Sequence, residues 1–160
     1  MTGIRQITTG LLVTAALLMG AAPAAALGIS VPETATLSAL SPGQTSTASG
    51  VSILVTGVLF PWSLTVAPES SATPGRLRAG ALGCSGSPAA LANPLHMNTS
   101  AGLGTTEIKE PSYDIVAGTK QIARGIAADA LTVDYTQSVA ASEALVAGCS
   151  YSITLIFTAS

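Results

Sequence analysis

The chain has 160 residues, 48% hydrophobic and 9% charged, with a formal net charge of −2. So apolar a composition excludes a disordered chain. Without a run of Lys or Arg there is nothing to hold a nucleic-acid backbone, so no nucleic-acid partner is expected. One domain is the expectation for this length.

At the N-terminus, Arg5 is followed by a short apolar run, Leu11 to Met19, then by Gly20, Pro23 and the small-residue tract Ala24-Ala25-Ala26. This is the layout of a cleavable signal peptide, and cleavage is expected after Ala26. A retained membrane anchor is the rival reading, but the apolar run falls short of the ~20 residues that a spanning helix needs. The expected division is a signal peptide, 1–26, and a secreted domain, 27–160, of 160 − 26 = 134 residues. Loss of Arg5 takes the formal charge from −2 to −3. No second long apolar run follows, so no membrane span is expected after cleavage.

From Leu27 onward strand signals dominate. Thr34 to Ala39 alternates weakly, and Ser41-Pro42-Gly43-Gln44 reads as a turn, with Pro presetting one dihedral and Gly accepting a positive one. Val51 to Val58 is more continuously apolar, as in a central strand. Pro61 should mark the start of Trp62-Ser63-Leu64-Thr65-Val66, which alternates cleanly. Residues 68–112 are rich in Pro, Gly, Ser and Ala. Arg76 to Leu82 reads as a further strand, and 83–104 as a long surface excursion tied down at Cys84. Gln121 to Ala127, Leu131 to Thr136 and Tyr151 to Thr158 are further strands, the last with Tyr151, Ile153, Leu155 and Phe157 on one face. No convincing amphipathic helix follows residue 27; Ala-rich stretches such as Ala127 to Leu131 and Ala140 to Val146 could form a turn of helix. Together these signals predict an all-β fold, an antiparallel β-sandwich of about seven to nine strands.

Cys84 and Cys149 both lie in the exported part, where a pair reads as a disulfide rather than as two buried thiols. Closing a loop of that length is worth roughly 4 kcal/mol in the chain-entropy picture. Two Cys and one His do not complete a structural zinc set, and no metal or other cofactor is expected.

The catalytic inventory is thin. His96 is the sole histidine, in Asn93-Pro94-Leu95-His96-Met97-Asn98. A Ser–His–Asp constellation would need it together with a serine and Asp114, Asp129 or Asp134, and such a triad is defined by geometry, not by residue content. Glu107 and Glu110 could act as paired carboxylates only across a cleft, and a solvated loop is the expected setting. No catalytic residue is assigned, and the protein is expected not to be an enzyme. Trp62, the one tryptophan, either stacks on a ligand or anchors the core; its alternation with Leu64 and Val66 favours the core.

Two stretches carry a resemblance. Trp62-Ser63-Leu64-Thr65-Val66 resembles the first motif of WxL-domain surface proteins. Tyr151 to Thr158, preceded by Ala147-Gly148, resembles their second, C-terminal motif, with Phe157 standing where that family has a Trp. Pro61 replaces the usual small residue before the first Trp, and the Cys84–Cys149 pair lies outside the motif. The resemblance implies a divergent, single-domain protein at a Gram-positive cell surface, held non-covalently to peptidoglycan or to other surface proteins. Trp62, Leu64, Tyr151 and Phe157 are then its candidate binding or core motif. The last strand also resembles the C-terminal strand of spore-coat-U and fimbrial subunits, which implies a structural subunit assembling by strand exchange, with Leu27 to Leu40 as a candidate donor. A secreted enzyme inhibitor is a third reading, with residues 83–104 as its exposed loop.

Overall fold

The structure is a computed structural model that describes residues 7–10 as backbone, and 27–56, 61–80, 84, 88–102, 105–145 and 147–160 in full. The predicted apolar run 11–19 and the cleavage tract 24–26 lie outside the described residues, as do Gly57 and Val58 at the end of the expected central strand.

The described residues form twelve strands and no helix. In chain order they are β1 (Ile7–Gly10), β2 (Gly28–Ser30), β3 (Thr34–Ala35), β4 (Thr45–Thr56), β5 (Trp62–Pro68), β6 (Arg78–Ala79), β7 (His96–Ala101), β8 (Glu107–Ile108), β9 (Ser112–Asp114), β10 (Lys120–Gly125), β11 (Asp129–Ser138) and β12 (Tyr151–Ala159). One sheet has seven strands in the order β3-β1-β12-β5-β10-β8, with β6 also beside β12. The other has five, in the order β2-β4-β11-β7-β9. Every pairing between these strands is antiparallel except that of β1 with β12.

The core lies between the sheets and follows from period two. β5 sends Trp62, Leu64 and Val66 inward, and β12 sends Tyr151, Ile153, Leu155 and Phe157. From the other sheet come Ile53 and Val55 of β4, Met97 of β7, and Leu131, Val133 and Tyr135 of β11. A bulge in β10 breaks the alternation between Gln121 and Ala123. It turns the consecutive Ile122 and Ala123 both inward, the usual effect of an extra residue in one strand. Cys84 and Cys149 are bonded, with Cα atoms 4.9 Å apart, which fastens the loop before β7 to the residues just before β12.

The all-β fold and the disulfide agree with the sequence, but four details differ. The strands number twelve because β2, β8 and β9 add two- or three-residue pieces outside the strands read in the sequence, and β1 and β7 fall where no strand is expected. Ala127 to Leu131 is not helical: Asp129 opens β11, where ladder bonds to β4 hold it. Ala140 to Val146 turns at Ala141–Ser142, while Val146 lies outside the described residues. Most consequentially, 83–104 is not a surface excursion throughout. Leu91 and Leu95 are fully buried, and β7 pairs with both β11 and β9 inside the five-stranded sheet.

Candidate functional site

All four motif residues face inward. Trp62 is 2% exposed, Leu64 0%, Tyr151 1% and Phe157 2%. The Trp62 indole N–H donates to the Ala127 carbonyl at 2.8 Å, which satisfies its one polar atom. Its ring lies against Gly125, where a Cβ would come within 2.6 Å of Cζ2. The Tyr151 hydroxyl donates to the Pro88 carbonyl at 3.0 Å. These side chains hold the sandwich together and present no aromatic face to a ligand.

His96 does find a serine and an aspartate. It stands across the ladder from Asp114. Its Nδ1 lies 2.8 Å from Asp114 Oδ1 and its Nε2 2.9 Å from Ser112 Oγ. The bonding order is that of a hydrolytic triad, but the setting is not. The imidazole is about a third exposed and the carboxylate 60% exposed, on the outer face of a sheet at its edge strand. A triad gains its rate from preorganised dipoles in a water-excluded site, and ion pairs in open water contribute little. Here the cluster ties β9 to β7.

The paired carboxylates are also engaged. Glu107 accepts from Lys109 and from Arg124, and those two cations, Lys109 first, hold its carboxyl below the usual range. Glu110 pairs with Lys120. Among the described residues no group of three or more His, Cys, Asp or Glu converges to hold a metal. No helix among them is long and apolar enough to cross a membrane.

The feature that stands out is the outer edge of β12. Ser160 and Ser63 exchange backbone bonds, at 2.7 and 3.0 Å, and Glu69 donates to the Thr154 carbonyl at 3.0 Å. In an antiparallel ladder the N–H and C=O of one residue point to the same side, and successive residues alternate. Thr154, Ile156 and Thr158 therefore address β5, while Ile153, Leu155, Phe157 and Ala159 turn their backbone groups the other way. On that side lies β1, in parallel register from Ile7 opposite Ile153 to Gly10 opposite Ile156. The strand filling this edge thus comes from the segment that reads as signal peptide. β1 is in turn bounded by the two-residue β3.

Without β1, β12 is an edge strand unlike the others. Edges are commonly blunted by shortness, charge or proline. β8 has two residues and carries Glu107; β9 has three, follows Pro111 and ends in Asp114; β2 has three and precedes Pro32. β12 is nine residues long, without charge, proline or register shift. Sequence reasoning finds the strand but not its edge, since which side is paired depends on distant segments.

Compared with family models, curated proteins and solved structures, the chain matches none.

Proposed function

We propose that the processed chain is an exported, non-enzymatic β-sandwich of the cell envelope, a binding or structural subunit that takes an extended strand from a partner along the edge of β12. One observation carries the reading: a nine-residue, uncharged strand whose outer side is paired over Ile153–Ile156 by residues 7–10, ahead of the expected cleavage site. Cleavage after Ala26 removes that strand and uncovers the outer groups of Ile153 and Leu155, in line with those of Phe157 and Ala159, for another. Strand addition of this kind takes its affinity from main-chain bonds and its selectivity from alternate side chains. The burial of Trp62 favours a protein partner at the surface over direct stacking on a glycan.

The test is cosedimentation of the secreted, processed protein with isolated Gram-positive cell walls, as prepared and after stripping of their proteins. Retention on the complete walls alone is the expected result. Retention on bare peptidoglycan to the same extent would replace the strand partner by a glycan, and retention on neither would remove the envelope reading.

A further inference from the structure

A second site lies on the other side of β12. β5 ends at Pro68, the chain leaves the sheet, and it rejoins β12 as β6 at Arg78. The detour leaves a cleft of about 280 Å³ whose walls include Ser70, Thr73, Arg76, Arg78 and Thr154. The arginines are placed there by local structure. Thr73-Pro74-Gly75-Arg76 is a turn closed by the Arg76 N–H on the Thr73 carbonyl at 3.2 Å, with Gly75 at φ 71°. That is the glycine position of a type II turn. Leu77 is buried, so Arg76 and Arg78, one residue to either side, both point outward.

The charge balance of the cleft is unusual for this protein. Lys109, Lys120 and Arg124 each have a carboxylate partner, whereas Arg76 and Arg78 have none. Arg78 makes only a long contact, 3.5 Å, to the Ser70 hydroxyl. The Thr73 hydroxyl oxygen, at the buried side of the wall, has no hydrogen-bond partner among the described residues. Two guanidinium groups without carboxylates, ringed by hydroxyls, make a site for a tetrahedral oxyanion. Guanidinium forks match phosphate oxygens in pairs, and hydroxyls donate to those that remain. One acidic residue, Glu69, also borders the cleft and opposes an anion there.

We infer that this cleft binds a phosphate group through Arg76 and Arg78, with the hydroxyls of Ser70 and Thr154 contacting the phosphate or the group that carries it. Free polyol phosphates and phospholipid headgroups share this chemistry. The site does not depend on the edge of β12 being open, so either reading can fail without the other.

Calorimetric titration of the protein with sn-glycerol phosphate, beside inorganic phosphate and uncharged glycerol, tests it. Saturable binding of both phosphates and none of glycerol is expected, weakening as salt is added. R76Q and R78Q should each weaken binding about tenfold, in keeping with the loss of a charge-assisted hydrogen bond, and the double variant should abolish it. R124Q, whose arginine is exposed and elsewhere, should change nothing. E69Q should tighten binding, a change of sign that damage to the fold would not produce; thermal melts of each variant check the fold independently. Vesicles containing phosphatidylglycerol separate the two sources: retention identifies the headgroup as a ligand, and free phosphate binding without retention identifies a soluble one. Glycerol binding as well as the phosphates do, undiminished binding by the double variant, or no phosphate binding by the folded protein would overturn the assignment.

Discussion

Trp62 is the residue on which the two meanings of the N-terminal motif diverge. A tryptophan held by its indole N–H on Ala127 and by Gly125 beneath its ring is packed, not offered. Trp62→Ala should therefore cost about 3–5 kcal/mol of stability, the range for deleting a large buried aromatic, as read by urea denaturation. An exposed ligand-stacking tryptophan would cost far less. The tyrosines make a separate prediction. Burial raises the phenol of Tyr135, and burial, then Tyr135 and Glu110, raises that of Tyr113, both well above the ordinary value of 10.0. Above about pH 10 the unfolded chain loses these protons while the native state keeps them, so stability falls as pH rises. Denaturation midpoints should drop steadily above that pH, and phenolate absorbance from Tyr113 and Tyr135 should appear only as the protein unfolds.

At the scale of the element, how much is legible in the sequence depends on how cleanly a strand alternates. Trp62 to Val66, Leu131 to Thr136 and Tyr151 to Thr158 are readable because apolar and hydroxyl or polar residues take turns along most of their length. β7 is not, although it is an internal strand of its sheet, between β11 and β9. Its inward row of Met97, Thr99 and Ala101 is interrupted by a hydroxyl and ends in a small residue, and its outward row holds His96, Asn98 and Ser100 amid Pro and Gly. The spacing of Leu91, Leu95 and Met97 is the signal available. The edge of β12 cannot be read at all, because it is defined by which remote segment pairs there. The same holds for the Arg76–Arg78 cleft, which exists because the chain leaves the side of β12 at Pro68 and returns at Arg78. The Cys84–Cys149 bond follows from the sequence, and the fold shows what it joins, the loop ahead of β7 and the residues just before β12. Cys84→Ser/Cys149→Ser should lower stability by about 2–5 kcal/mol, measured by denaturation against the oxidised parent.

For the whole molecule, three edges are short or guarded by charge and proline, while the fourth is long, neutral and covered by residues 7–10. Under the proposed function, the edge is covered in the precursor and uncovered by cleavage after Ala26. A slot of this kind would otherwise invite indiscriminate pairing. The two proposed sites flank the same strand: the open edge on one side of β12, the basic cleft on the other. A partner strand and an anionic group could then be held by a single rigid element.

Whether that edge accepts a strand is decided most directly by fluorescence anisotropy of a labelled peptide spanning residues 5–12 on the secreted, processed protein, with intact mass confirming that the chain starts at Leu27. Saturable binding is expected, with markedly weaker binding of the same residues in reversed order, since β1 runs parallel to β12. Equal affinity for both orders, or no binding of either to a folded and correctly processed chain, would contradict strand addition at β12.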